Sequence, residues 1–107
     1  MPAYLLQASY TTESWAAQVK KPGNRLADVA KMIQGVGGKM VAGYYAFGAH
    51  DVVLIAEMPD NVTAASFSIA AAAGGALKSV QTTPLMSAAE GVKAIRAARK
   101  AGYRPPA

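Results

Sequence analysis

The sequence has no cysteine, a single histidine and a single tryptophan. Without cysteine there are no disulfides, no thiolate metal ligands and no thiol nucleophile. One histidine, His50, cannot build a His-rich metal centre, so neither metal nor cofactor is expected. It also leaves any serine nucleophile with one possible imidazole. Long hydrophobic runs are missing too. The least polar stretch, Ala64 to Leu77, is 14 residues long and contains Gly74-Gly75. That is too short to span a bilayer, and it reads as a buried helix of small residues. The N-terminus, MPAYLLQASY, lacks a basic lead and breaks at Gln7 and Ser9, so it is not a signal peptide. A cytoplasmic protein with no membrane partner is the expectation.

What is present is enough for one core. The chain has 107 residues, 52% of them hydrophobic and 16% charged, which excludes a disordered chain and allows one domain. The net charge of +5 is not spread evenly. Residues 1–90 carry Lys20, Lys21, Arg25, Lys31, Lys39 and Lys78, balanced by all six acids. Residues 91–107 carry Lys93, Arg96, Arg99, Lys100 and Arg104 with no acid. The chain is therefore a neutral domain, residues 1–86, followed by a basic helix and tail, residues 87–107.

The pattern of residues orders the elements. Ala3 to Tyr10 reads as a strand, and Thr12 as the cap of a short helix holding Trp15 and Val19. Pro22 divides it from a second helix, Arg25 to Gln34, with Leu26, Val29, Ala30 and Ile33 at helical spacing. Gly35, Gly37 and Gly38 end that helix. A strand follows from Lys39 to Phe47. Gly48-Ala49 is expected to make a two-residue type II′ turn into a strand from Asp51 to Met58. Asp60 or Asn61 caps the alanine-rich helix, and Ala76 to Leu85 is a fourth strand. Ser87 with Glu90 forms a capping box for a last helix reaching Ala101.

This order, βαββαβ plus a C-terminal helix, is the α+β, ferredoxin-like arrangement, with the first and third strands central. Both central strands are apolar on both faces, whereas their helices cover one. The other face calls for a partner sheet, so two sheets packed face to face across a two-fold axis are expected. The polar residues Gln7 and Ser9 offer the alternative of a solvated face.

Several stretches are also familiar as a set: Tyr4, Tyr10-Thr11, Pro22…Arg25-Leu26, Gly37-Gly38-Lys39, Tyr44-Tyr45, Gly48…Asp51-Val52-Val53 and Pro59-Asp60. Over roughly residues 3 to 86 the chain resembles the GYD-domain family, within the dimeric α+β barrel superfamily. The name-giving Gly-Tyr-Asp stretch reads Gly48-Ala49-His50-Asp51 here, with His50 in the tyrosine's place. The resemblance implies a dimeric barrel built from two sheets. For function it implies a range: cofactor-free oxygenases, isomerases, haem-degrading enzymes and plain ligand-binding modules all share that superfamily.

Among candidate site residues, His50 beside Asp51 is the one pair with catalytic chemistry, a base or acid near neutral pH. Against it, neighbours on a strand face opposite ways, and His50 can equally be a solvated hairpin residue. Tyr10, Trp15 and Tyr45 are candidate ligand-binding residues with Asp51, because rings with polar tips suit a pocket for a small apolar ligand. They can equally be packing residues of the core or a dimer interface. Tyr44 and Tyr45 must face opposite ways. The Gly35–Gly38 cluster follows a helix and precedes a strand, the reverse of a dinucleotide loop.

Three functions stay open. The first is a small homodimer or higher homo-oligomer binding an apolar or aromatic molecule between sheet and helices, and in its enzymatic form acting on it through His50 without cofactor. The second is a non-catalytic assembly or interaction protein. The third is a tail-mediated binder of nucleic acid or an acidic partner. The basic helix lacks interleaved aromatics, which argues against nucleic acid. A helical wheel instead puts Val92 and Ile95 opposite a basic stripe, with Arg99 inside the apolar arc. The expectation is that this helix packs onto its own domain or a neighbour, with Arg99 meeting a carboxylate or backbone carbonyls.

Overall fold

The computed structural model describes residues 1–106; Ala107, the end of the expected tail, lies outside the described residues. The elements run β1 (Ala3–Tyr10), α1 (Thr12–Lys20), α2 (Arg25–Gly35), β2 (Lys39–Tyr45), β3 (Val52–Glu57), α3 (Asn61–Ala73), β4 (Leu77–Leu85) and α4 (Ala88–Ala98). One sheet has the order β2-β3-β1-β4, with every neighbouring pair antiparallel. This is the ferredoxin-like α+β arrangement expected from the order of elements.

The sheet register decides which side chains meet the helices. Tyr4 pairs with Ala56, Leu6 with Leu54 and Ala8 with Val52, so these six share one face. That face is the core: Tyr4, Leu6, Val52, Leu54 and Ala56 are buried, together with Tyr10, Met58, Ile33 of α2 and Ala64 of α3. The Tyr4 hydroxyl donates to Asn61 Oδ1, tying the start of α3 to the central strand. On the opposite face Leu5 pairs with Ile55 and Gln7 with Val53, and no helix covers them fully. Tyr44 joins that face opposite Val53 and is 68% exposed.

Local capping sets most helix starts. The α1 cap is Thr11, not Thr12: its side chain accepts from the Ser14 N–H, leaving Thr12 as the first helical residue. The shift has a cause, since the Thr11 N–H is held by the Ala76 carbonyl at 3.0 Å and Thr11 stays extended. Asp60 caps α3, and Ser87 with Glu90 forms the complete capping box of α4. The N–H groups around them hold both carboxyls, Asp60 and Glu90, below the ordinary carboxylate range.

Three expectations are corrected. There is no two-residue turn at Gly48-Ala49. Ladder pairing ends at Tyr45↔Val52, one further bond joins the Ala46 N–H to the Asp51 carbonyl, and residues 46–51 form the connection. Gly48 lacks the positive φ that a type II′ turn demands, and Phe47 is fully exposed in the loop. The alanine-rich α3 is not a buried helix. Only its inner side meets the sheet, and Val62 and Ile69 lie exposed on the outer side. The layered fold puts every helix at the surface, so uniform apolarity cannot bury this one. The last helix ends at Ala98, three residues early, where bonds from Lys100 to Ala97 and from Ala101 to Ala98 tighten the chain into turns.

The C-terminal helix stands away from its own domain. No α4 residue is buried; Val92 is 44% and Ile95 72% exposed. The radius of gyration is 17.0 Å, against about 13 Å for a compact chain of this length. Val92 and Ile95 therefore make no buried contact with the same chain in this structure. Arg99 has no ion pair among the described residues, where the Arg25–Asp28 pair is the one present.

Candidate functional site

The inner face of the sheet does not close against its helices. Between it, α2 and α3 lies a cavity of about 510 Å³. Its floor is Leu6, Ala8, Leu54 and Val80, and its walls include Val29 and Met32 of α2 and Phe67 and Ala71 of α3. The reason is legible in α3 itself. Ala70, Ala71 and Gly74 project too little volume to fill the space towards α2. Tyr10 closes one end of the cavity and Arg25, the first residue of α2, stands beside it.

Tyr10 is fixed by a small polar cluster. Its own N–H is left over where β1 outruns β3, and Asp51 Oδ2 accepts it at 2.9 Å. The same oxygen accepts from Trp15 Nε1 at 3.2 Å. The two rings meet edge to face, 5.0 Å apart at 72°. Asp51 thereby joins β1, α1 and the β2–β3 connection at one atom. The Tyr45 hydroxyl in turn accepts the Arg25 N–H at 3.2 Å, one of the free donors of the α2 N-terminus. Burial raises the Tyr10 phenol above its ordinary pKa. Tyr45 and Asp51 push the same way, while Arg25 opposes them.

The structure thus brings Tyr10, Trp15, Tyr45 and Asp51 together, but not around one cavity. Tyr10 borders the inner cavity. Trp15 and Tyr45 border a second, open groove with Val19, Pro22 and Phe47. Asp51 and His50 line neither. His50 sits in the β2–β3 connection, where its Nδ1 is buried without a hydrogen-bond partner. The Asp51 carboxylate is turned to Tyr10 and Trp15 rather than to this imidazole. Among the described residues no group of three or more His, Cys, Asp or Glu could hold a metal ion, and no helix is long and apolar enough to cross a membrane.

Arg25, Phe67 and Val80 are cavity residues that the sequence reading did not single out. The available signal was the paucity of side-chain volume on α3, which marks a groove rather than a buried packing face.

Comparison with known proteins agrees with this architecture. A family model described as the GYD domain matches residues 4–95, running past the sheet and through most of α4. No curated protein and no solved structure matches the chain.

Proposed function

The chain belongs to the GYD-domain family, and from that premise we propose that it is a small-molecule-binding module whose site is the cavity between the sheet and helices α2 and α3. The observation that carries this reading is the cavity itself. At about 510 Å³ it lies within the size range of ligand pockets, and its lining is mostly apolar with a few polar residues among it. A tightly packed interior would leave no such void. The reading is one of binding. The His50 imidazole, the candidate base, lies outside the lining, so catalysis through it would require the ligand to reach the β2–β3 connection.

In this reading the module works as a homo-oligomer. Leu5, Val53, Ile55 and Tyr44 form an apolar outer sheet face that a second copy would cover. The same face supports the second reading, a non-catalytic assembly protein. A neutral apolar fluorophore, N-phenyl-1-naphthylamine, separates the two. Saturable enhancement at one probe per chain, lost in Ala71→Phe and Val80→Phe, supports the ligand site. No saturable binding, or binding unchanged in both variants, leaves assembly as the function.

A further inference from the structure

The polar groups of the inner cavity are few, and most are already engaged. Four lining residues carry polar side chains: Tyr10, Arg25, Ser66 and Ser68. The Ser66 hydroxyl donates to the Thr63 carbonyl at 2.8 Å. Ser68 donates to the Ala64 carbonyl at 3.0 Å and is hydrogen-bonded to Thr82. The Tyr10 hydroxyl makes no hydrogen bond to another described residue. Arg25 has one partner, Asp28, at 3.9 Å between exposed side chains, and a surface pair of that length holds weakly. No acid lines the cavity. Its free polar end is therefore a donor end: a guanidinium, which has five N–H donors and no acceptor, beside a phenol. Both border the same cavity, and the Arg25 charge counters the rise that burial gives the Tyr10 phenol.

Resting on the cavity as the ligand site, we propose that its ligand is an amphiphilic carboxylate, with the carboxylate held by Arg25 and the Tyr10 hydroxyl and the apolar chain lying along Phe67, Leu77 and Val80. The planar fork of an arginine matches a carboxylate with two parallel hydrogen bonds. A neutral amphiphile of equal length would fill the same apolar space but leave the guanidinium unmatched. An amphiphilic ammonium would meet a like charge. A short carboxylate would reach Arg25 without the burial that the apolar walls offer.

Calorimetric titration of the full chain with decanoate, decan-1-ol, decylammonium and acetate tests this. Decanoate is expected to bind at least about tenfold more tightly than decan-1-ol, with decylammonium weaker still and acetate without measurable binding. Arg25→Gln should bring decanoate down to the affinity of decan-1-ol and leave decan-1-ol unchanged. Arg25→Lys should keep part of the preference, and Tyr10→Phe should reduce it. The Arg25 side chain is exposed, so both of its variants should keep the wild-type melting temperature. Equal affinities for decanoate and decan-1-ol, or a preference that survives Arg25→Gln, would overturn the carboxylate assignment while leaving the cavity as a site. Acetate binding as well as decanoate would place the anion on the basic surface and overturn it too. If none of the decyl compounds binds, the cavity reading falls with it.

Discussion

The Tyr45 hydroxyl accepts the N–H of Arg25 at 3.2 Å, so a ring on β2 adds to the Asn24 cap in holding the start of α2. Tyr45 lies on the helix-facing side of β2 opposite Val52, while Tyr44 faces away opposite Val53. The bond ties the cation at the cavity mouth to the sheet. Tyr45→Phe should cost about 0.5–1.5 kcal/mol, the net worth of one hydrogen bond. Tyr44→Phe, which touches neither helix, should be neutral in the monomer. Chemical denaturation of both variants checks the difference.

Gly38 is predicted to be intolerant of any side chain. A Cβ there would lie 2.6 Å from the Glu57 carbonyl oxygen and 2.8 Å from Met58 Sδ. Backbone cannot yield as a side-chain tip can, so Gly38→Ala should lose about 1–3 kcal/mol. Gly48 is the control. It faces open space and has no positive φ, so Gly48→Ala should stay within about 0.5 kcal/mol of wild type. Thermal melts of the two variants give the comparison directly.

Stability at alkaline pH should depend on Tyr10. Its folded pKa is raised above the ordinary 10.0, chiefly by burial. The folded chain therefore holds a proton that the unfolded chain releases near that value. The contribution is full below the unfolded pKa and is lost as pH rises through the folded one. Denaturant midpoints from about pH 9 to about pH 11 should fall more steeply for wild type than for Tyr10→Phe. Parallel curves would show that the phenol gains nothing from its site.

The outer sheet face gives an assembly prediction. Ile55→Lys puts a charge between Leu5 and Ala42, its cross-strand neighbours. Light scattering should report a homo-oligomer for wild type and a folded monomer for Ile55→Lys. Within that monomer, removing residues 87–107 should leave the melting temperature nearly unchanged, because no α4 residue is buried. A wild-type mass equal to one chain would overturn the oligomer.

The fold was legible because its signals are local. Strand alternation placed Leu6 and Leu54 on one face, and Asp60 and Ser87 announced their helices through short-range caps. The Gly48-Ala49 turn failed because a glycine tells only that a tight turn is permitted. Where the ladder stops is decided by pairing partners, here Tyr45 and Val52. The aromatic and acidic cluster was legible as a list of residues but not as a geometry. Asp51 stands beside His50 in sequence, yet it serves an N–H and a ring that arrive from β1 and α1. The cavity was least visible of all. Empty space leaves no residue pattern, only an arithmetic of small side chains on α3 that several tertiary arrangements could satisfy.

The atom shared by Tyr10 and Trp15 changes how the Gly48–Asp51 stretch should be understood. A rivet holds three plates because it passes through all of them, and Asp51 does the same for strand, helix and loop. The ring one position earlier takes no part in those two bonds, and its Nδ1 has no hydrogen-bond partner among the described residues; the Ser9 hydroxyl on Ala49 and the Asp51 N–H on Ala8 add two further ties between β1 and the connection. Neither hydrogen bond to the Asp51 carboxylate passes through the ring at position 50. An exchange at position 51 to alanine would remove the acceptor of both the Tyr10 N–H and the Trp15 Nε1–H, and with it the bond that orients the wall Trp15 lends to the outer groove.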